Sequence, residues 1–393
     1  MALEAAIRNQ RVDSVLEVDG DIPTTGVFAP FGDVIKKFSW NPDAAIEARR
    51  GIGGIDPVGH DTGLESHTAE ISYLLQGTIA AGTPLYEAFI RDADNVLAAR
   101  TIVQREKHFT GGVLSNGVRT YVVLEGAKPA TAKIPGDPGQ AGPIEILIGY
   151  TAERGREYEI NQPATAAVLC VVSTTAGDNG GTITVEDDAG TQEAISIGGT
   201  GSVAFASIDA LELTAECVGT ITVLDGTDAG ATLATIYGSN SYDDTEGDLG
   251  VPVLSGTRTR TGTLTAAAYP YEKFLGDEIT NGGGDLAYEI NSVELTVDNA
   301  VEARPRHNKR AQRIVEGNRT VQLTATVMGE DEHYDQVTRH LQTTKADIVW
   351  TLTSSTLTVG DAVLVDVGDK TIEEGGAYLA FDSVFEGETI ALV

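Results

Sequence analysis

The sequence predicts a mainly β protein built on a duplicated domain, and three observations support this. A segment from Phe38 to Gly77 is repeated in outline from Val293 to Gly329. At the start of both copies, polar and apolar residues alternate with the period of a strand that buries one face. The composition, with 45 glycines and 41% hydrophobic residues, suits short strands joined by turns. We therefore predict two β-barrel or sandwich domains, each with a short helix, and a small inserted antiparallel Ig-like sandwich.

The duplication is visible in the order of short motifs. Ile46-Glu47-Ala48-Arg49 returns as Val301-Glu302-Ala303-Arg304, and His67-Thr68 returns as Arg319-Thr320. In both copies an apolar-rich run follows and stops at a glycine. An aromatic residue, an acid and an arginine come next, in the same order. Because these motifs recur at nearly constant spacing, they indicate a repeated domain.

Each copy is predicted to form a strand, a long polar loop, a return strand and a short helix. The predicted loops run from Arg49 to Ser66 and from Arg304 to Asn318, longer than ordinary hairpin loops, and such loops are often functional. We expect them to make contacts between subunits. The candidate interface residues are Glu47, Arg49, Arg50, His60, Asp61 and Glu65 in the first copy, and Glu302, Arg304, Arg306, Lys309, Arg310 and Arg313 in the second.

The two predicted helices follow the return strands. Thr83-Pro84 has the residue types of a helix start, a capping hydroxyl and then a proline in the first turn. Leu85 and Phe89 form an apolar pair one turn apart. In the second copy, Tyr334, Val337 and Leu341 are spaced to lie on one side of a helix, and we expect that side to face the sheet.

Taken together, these features resemble the tail tube proteins of tailed viruses. The resemblance depends on Glu47, Arg49, Asp56-Pro57 and Gly63 in the first copy, and on Glu302, Arg304, Glu316-Gly317 and Arg319 in the second. It covers the two repeats and the strands that follow them, but not the middle of the chain. It implies β-barrel domains whose rings stack into a hollow tube that conducts the viral genome.

The resemblance also implies an assembly and its partners. Rings of six domains would need three chains with two domains each, a homotrimer with pseudo-sixfold symmetry. Such a protein is made in the host cytoplasm and belongs to the tail of the virion. Its partners would be further copies of itself and the tape measure, tail terminator and baseplate proteins. Double-stranded DNA would pass through the lumen without tight binding, and no membrane is involved.

Four regions are predicted along the chain: an arm at 1–30, the first tube domain at 31–158, the insert at 159–240 and the second tube domain at 241–393. Ala2 to Ile7 is a candidate helix, and the rest of the arm is expected to be extended. The first domain should continue with strands at Val96–Gln104, Val118–Glu125 and Ile144–Tyr150, with a loop at Pro135–Gly139. The second should close with strands at Ile348–Thr353, Ala362–Val367, Tyr378–Phe385 and Ile390–Val393.

The insert has the pattern of a small antiparallel sandwich, because short apolar runs alternate with Gly, Asp and Asn clusters. Its predicted strands are Ala166–Val172, Thr182–Glu186, Glu193–Ile197, Leu211–Ala215, Thr220–Leu224 and Thr232–Tyr237. Its role is either that of a spacer or that of a decoration on the outer surface. Cys170 and Cys217 form either a disulfide or two small core residues. The second reading is favoured because no apolar secretory signal precedes them.

The chain is strongly acidic, with a formal net charge of −31. Such a charge argues against a surface that holds nucleic acid tightly. An acidic lumen would let DNA slide, but an acidic proteome in a salt-loving source explains the charge equally well. The basic run from Arg304 to Arg313 is better read as pairing with a neighbour's carboxylates than as a nucleic-acid contact.

Sites for chemistry have little support. His60, Asp61, Glu65 and His67 are metal-ligand types, but the second copy does not reproduce them. The acidic stretch from Asp243 to Asp248 lacks the spacing of a calcium loop. We find no catalytic motif and predict neither enzyme activity nor a cofactor or metal. The alternative class is a β-rich surface or adhesion protein that binds glycans or ions, against which the low aromatic content of 6% counts.

Overall fold

A computed structural model describes the larger part of the chain. The described residues are 7–17, 29–31, 35–50, 57–75, 79–110, 113–114, 118–136, 143–241, 247–253, 279–281, 284–285, 290–305, 312–328, 337, 340–343, 345–352, 355–368, 371–372 and 379–392.

The first repeat is made of antiparallel strands and one short helix. Its strands are β1 (Ile7–Leu16), β2 (Ala29–Pro30), β3 (Ile35–Arg50), β4 (Pro57–Leu74), β5 (Arg100–Thr110), β6 (Val113–Leu114), β7 (Arg119–Gly136), β8 (Glu145–Ala152) and β9 (Arg154–Ile160), with helix α1 (Pro84–Phe89) between β4 and β5.

Helix α1 begins as its sequence predicts. Thr83 is the N-cap, and its side-chain oxygen accepts a hydrogen bond from the Tyr86 amide at 3.4 Å, with Pro84 in the first turn. Leu85 and Phe89 lie one turn apart and are 1% and 0% exposed. The pair attaches the helix to the core of the first repeat.

The insert consists of two antiparallel sheets that share a core, and its last strand, Gly250–Val251, lies beyond the predicted end at residue 240. Its strands are β10 (Leu169–Ser173), β11 (Thr182–Glu186), β12 (Gln192–Ser196), β13 (Ala210–Leu213), β14 (Ile221–Asp225), β15 (Thr232–Ile236) and β16 (Gly250–Val251), with 3₁₀ turns at Ala176–Asp178 and Ser239–Ser241. One sheet has the order β10-β14-β15 and the other β12-β11-β13-β16.

The second repeat follows with strands β17 (Ile279–Asn281), β18 (Gly284–Asp285), β19 (Ile290–Asp298), β20 (Val301–Pro305), β21 (Gln312–Glu316), β22 (Thr320–Met328), β23 (Ala346–Thr351), β24 (Thr356–Val367), β25 (Thr371–Ile372), β26 (Leu379–Gly387) and β27 (Thr389–Leu392). Residues 340–342 are helical and lie between β22 and β23, in the place that α1 has in the first repeat.

One continuous sheet joins the two repeats. Its order is β3-β4-β8-β7-β19-β22-β26-β24, and every pairing in it is antiparallel. The first four strands belong to the first repeat and the last four to the second. Each half has the same internal order, so the duplication seen in the sequence is a duplication of strand pairing.

Each repeat has a second, outer sheet that shares one long strand with the continuous sheet. In the first repeat, the N-terminal part of β7 pairs with β5 and β9, and β5 pairs with β1. In the second, β24 pairs in the same way with β23 and β27, and β23 pairs with β17. Both repeats bury apolar side chains in one common core, while the insert shares a second core with the outer sheet of the first repeat.

The prediction of long loops was wrong where the structure describes them. β3 and β4 form an extended hairpin in which Glu47 lies opposite Asp61 and Ala48 opposite His60. In the second repeat, β20 pairs with β21 over a shorter hairpin. These ribbons carry polar residues without the alternation of a strand that covers a core, so periodicity gave no signal. The hairpin tips, 51–56 and 306–311, lie outside the described residues.

Three further predictions are corrected. Ile7 begins a strand rather than ending a helix, and β1 pairs with β5 along ten residues, so the segment Ile7–Leu16 of the arm is part of the sheet. β7 continues through Pro135 to Gly136, where a loop was predicted. Leu341 is 77% exposed and does not face the sheet. The positions 2–6 and Tyr334 lie outside the described residues.

Candidate assembly interface

The junction between the repeats is a strand-to-strand joint. β19 pairs with the C-terminal part of β7, from Val293 opposite Gly136 to Asp298 opposite Thr131. Leu295 and Ile134 lie opposite each other and are both 0% exposed. Backbone pairing and apolar burial therefore act together here, which makes the joint one sheet rather than two domains in loose contact.

An ion pair supports the polar side of this joint. Lys133 of β7 contacts Glu294 of β19 at 3.2 Å between Nζ and Oε1. Both side chains remain partly exposed, 41% and 45%. Such a pair contributes little energy by itself, but like charges at these positions would oppose the pairing.

The corner after β19 fixes the second repeat onto α1. The Asn299 side-chain amide donates to the carbonyls of Ala88 at 3.0 Å and Pro129 at 3.1 Å, and Asn299 is 0% exposed. Arg319 donates to the carbonyl of Phe89 at 2.6 Å, which satisfies a group at the C-terminal end of the helix. Burial and nearby Arg91 lower the pKa of Arg319.

Glu316 adds an acidic contact at the same corner. Its carboxylate lies 2.6 Å from Lys128 Nζ and accepts a hydrogen bond from the Leu97 amide at 2.9 Å. Arg91 lies 3.9 Å away. The hairpin base of the second repeat therefore contacts the first repeat within one chain. The predicted contacts of this loop with other subunits stay a prediction.

One outer edge of the eight-stranded sheet is β3. Among the described residues, β3 pairs with β4 and has no strand on its other side. Phe38 and Trp40 point to the core side and are only half-buried. Trp40 stacks on His67 with ring centroids 6.2 Å apart. On the polar side Lys37 is exposed and forms a 2.6 Å ion pair with Glu70.

The other outer edge is the C-terminal part of β24. Val363 to Val367 pair with β26, and in the described part of the chain no strand lies beyond them. Asp366 is exposed, Val365 is 39% exposed at a bulge, and Val367 is half-buried. The carbonyl of Leu364 contacts the His340 ring at 2.8 Å. Among the residues that the structure describes, the sheet thus ends at β3 and at the C-terminal part of β24 without a further strand.

The face of this sheet away from the core is polar and mainly acidic. Burial alternates along each strand, so one side faces the core and the other is open. The acidic side chains on the open face include Glu70, Glu145, Glu294, Asp298, Asp366, Asp382 and Glu386. Lys37 and Lys133 also lie there, each paired with a glutamate.

The insert is held on the first repeat by buried ionic contacts that the sequence did not reveal. Asp209 is 0% exposed and lies 3.0 Å from Arg105 and 3.4 Å from Arg119. The Tyr121 hydroxyl donates to the same carboxylate at 3.1 Å. Burial raises the pKa of Tyr121, although the two arginines oppose the shift. Arg119 also pairs with Asp188 at 2.6 Å.

The predicted interface residues divide into three groups. Glu302 and Arg304 lie on β20, exposed and paired with each other at 3.5 Å. Glu47, Arg49, Arg50, His60, Asp61, Glu65 and Arg313 lie on the hairpin strands, where the structure gives their backbone pairing. Arg306, Lys309 and Arg310 lie outside the described residues.

Residues at the joint and edges were mostly missed. Asn299, Glu316, Lys133 and Asp366 act through pairings that connect distant parts of the chain, and no local pattern marks them. Arg319 and Glu316 were noted as repeat markers only. The one available signal was that Lys37 and Glu294, of opposite charge, lie on the first strands of the two repeats.

Other candidate sites gain no support from the structure. No group of three or more metal-ligand side chains occurs among the described residues. Both cysteines are free and buried, as favoured by the sequence, and burial raises the pKa of Cys217. Asp248 of the acidic linker is buried against Arg156 at 3.1 Å. No helix in the described ranges has the length and apolarity needed to cross a membrane.

Comparison of the sequence and structure with known proteins finds little similarity. No family model matches the chain, and no curated protein matches it. Among solved structures, the chain is similar to a component of the anti-feeding prophage baseplate, seen in a sixfold-symmetrised cryo-EM structure. That likeness has 15% sequence identity and a TM-score of 0.27, and it covers 40% of this chain and 97% of the other.

Proposed function

We propose that this chain is a structural virion protein that assembles as stacked rings into the hollow tail tube of a tailed virus. One observation carries it: two copies of a four-stranded unit are already joined edge to edge, and among the described residues neither outer strand of the joined sheet has a further partner. A unit that repeats and leaves matching ends open suits a closed ring of copies.

The number of chains follows from the duplication. If a ring takes six copies of the four-stranded unit, as the resemblance to tail tube proteins implies, three chains close it. The ring then has true threefold and pseudo-sixfold symmetry, and internal joints alternate with joints between chains. The inserts would sit on alternate units, because in the described part of the chain the insert contacts the first repeat.

The open acidic face of the sheet would then line the lumen. Its carboxylates would repel the phosphates of passing DNA, which suits conduction without binding. Long hairpins and the insert would lie on other surfaces, where neighbouring rings and other tail proteins are contacted. A salt-loving host fits the high content of acidic residues.

Electron microscopy of the purified full chain over a range of salt concentrations tests this function, together with native mass measurement of the smallest closed species. Rings or tubes with three chains per ring are expected. Six chains per ring with all inserts equivalent would contradict the stoichiometry. Dispersed monomers under every salt condition would contradict the tube and favour a surface protein that binds glycans or ions.

A further inference from the structure

We propose that β3 of one chain pairs antiparallel with the C-terminal part of β24 of a second copy, in the register of the internal β19–β7 joint but with its charges reversed. This inference rests on the proposed ring and names the strands, register and ion pair that close it. The occupant of each free edge is thus a second copy of this chain.

Equivalent positions are set by the strand partners inside each repeat. Phe38 lies opposite Ile71, and Leu295 lies opposite Leu323. Trp40 lies opposite Ala69, and Val297 lies opposite Val321. Because Ile71 and Ala69 correspond to Leu323 and Val321 in the repeated return strand, Phe38 corresponds to Leu295 and Trp40 to Val297.

The same reasoning aligns β24 with β7. Ala132 lies opposite Ile148 of β8, and Leu364 lies opposite Phe385 of β26. Lys133 and Asp366 occupy the next paired position on these strands. In the internal joint, Val297 is opposite Ala132 and Thr296 is opposite Lys133. Between chains, Trp40 should therefore face Leu364, and Ser39 should face Asp366.

Apolar burial supports this partner. Leu295 and Val297 are both 0% exposed because β7 lies beside them. Phe38 and Trp40 hold the same positions on β3 but are only half-buried. A strand added at this edge would complete their burial, as β19 and β7 do for each other.

Charge supports it independently. The internal joint pairs Lys133 of β7 with Glu294 of β19. At the free edges the corresponding residues are Asp366 of β24 and Lys37 of β3, both exposed. The basic residue lies on β7 in the internal joint, whereas at the equivalent position β24 has an acid and the basic residue is on β3. The charges are therefore exchanged, and the pair remains complementary. A β3 strand that approached β7 in place of β19 would bring Lys37 to Lys133, so the reversal distinguishes the two kinds of joint.

A disulfide trap tests the register in the full chain. Facing residues of neighbouring antiparallel strands have Cα atoms about 4.5–5.5 Å apart, within reach of a disulfide. The variant with Ser39→Cys and Asp366→Cys should give, on mild oxidation, reducible species that increase by one chain at a time. Both residues are exposed in the single chain, so folding should not be disturbed.

Two matched variants control this trap. Thr68→Cys with Asp366→Cys moves one cysteine to β4, which is a further strand spacing of about 4.8 Å from the joint and opposite Asn41 rather than Ser39, and should give no ladder. Thr296→Cys with Lys133→Cys traps the internal joint and should cross-link within one chain at any protein concentration. A ladder that is equal for the Ser39 and Thr68 variants, or absent for both, would overturn the proposed register.

Charge exchange tests the ion pair. Lys37→Asp or Asp366→Lys alone should lower the association constant by about tenfold or more, because like charges then meet across the joint. The double variant should recover most of it. Recovery that fails, or single variants that assemble like the parent chain, would contradict the pairing.

These results separate the two proposals. If the parent chain forms rings but the Ser39 and Asp366 cysteines do not cross-link, the joint is wrong and the tube function stands. If the ladder forms but no closed ring or tube is seen in any salt condition, the joint stands and the tube function fails.

Discussion

The two repeats have the same strand pairing but different neighbours. Leu295 in the second repeat is completely buried, whereas Phe38 at the equivalent position of the first is half-buried. Both are large apolar residues at the core side of a first strand. The difference comes from the strand beside them, which is β7 for Leu295 and absent among the described residues for Phe38. The comparison shows that this position acquires its full burial only from a joint.

The repeats also differ on their outer sheets. The outer sheet of the first repeat is covered by the insert through Arg105, Arg119 and Asp209, and the three are almost completely buried. For the equivalent sheet of the second repeat, formed by β17, β23, β24 and β27, the described residues include no such insert. A buried ionic contact demands accurate geometry, so the insert should be a fixed part of the first repeat rather than a loosely attached module.

Removal of Asp209 should have the largest effect on this difference. Asp209→Ala takes the carboxylate away from two buried arginines, which should lower the free energy of unfolding by about 3–5 kcal/mol. Urea unfolding measures the loss, and hydrogen exchange should place it in the insert and first repeat while the second repeat stays protected.

Two variants bracket that result. Asp209→Asn keeps the shape and one acceptor and should cost less than the alanine variant. Asp228→Ala removes an exposed acid from the same insert and should change stability by no more than about 0.5 kcal/mol. If Asp209→Ala lowered hydrogen-exchange protection equally in both repeats, the stabilising effect of Asp209 would not be confined to the insert and the first repeat.

Truncation at the equivalent apolar positions should have the next largest effect. Leu295→Ala creates a cavity at the internal joint and should cost about 2–5 kcal/mol in the single chain. Phe38→Ala should cost less in the single chain, because part of the ring is exposed, but should weaken assembly strongly. Unfolding of the dispersed protein and sedimentation of the assembled protein measure the two effects. If both variants lost similar unfolding free energy and Phe38→Ala assembled like the parent chain, the proposed equivalence of Phe38 and Leu295 would be contradicted.

The sequence predicted the elements that carry regular local signals. Thr83, Pro84, Leu85 and Phe89 defined the helix, and the β11 strand was predicted at its observed bounds because its residues alternate between turn clusters. The duplication was visible because motifs recur in order. Polar ribbons such as β3–β4 beyond Asp43 were missed because they lack the alternation that a buried face imposes.

Local sequence patterns could not predict the joint between the two repeats. Pairing of β7 with β19 connects residues that are far apart in the chain, and the roles of Lys133 and Asn299 depend entirely on that pairing. Asp209 was inconspicuous for the same reason, since its arginine partners lie on strands of another domain. Charge composition predicted an acidic surface but not which face of the sheet would carry it.

Salt concentration should change the strength of assembly. The direction of the change shows whether repulsion between the net charges or attraction at the Lys37 edge is the stronger effect. Each chain carries a formal charge of −31, and packing chains together brings these charges close. Screening over about 8–10 Å near physiological ionic strength reduces this repulsion, so rings should strengthen as salt rises. Light scattering of the parent chain across salt concentrations measures the trend. Assembly that is strongest at low salt would show that attraction at the Lys37 edge outweighs the net charge.

The smallest effect concerns a carboxyl at the outer sheet of the first repeat. Burial raises the pKa of Glu125 from 4.5 to about 7, partly offset by Arg154 and reinforced by Glu17 and Asp248. Between about pH 4.5 and pH 7, the Glu125 carboxyl therefore keeps its proton in the folded chain and loses it in the unfolded chain. The stability contributed by this group is complete below about pH 4.5 and is lost as pH rises through about 7. Glu125→Gln resembles the protonated form, so it should nearly match the parent at pH 4.5 and exceed it by about 1–3 kcal/mol at pH 8. Urea unfolding at the two pH values measures this, and Glu159→Gln, at an exposed position of β9, should keep the parent's pH dependence. A glutamine variant that is less stable than the parent at pH 8 would mean that the ionised carboxylate is held by Arg154, and that the outer sheet of the first repeat tolerates charge as the region around Asp209 does.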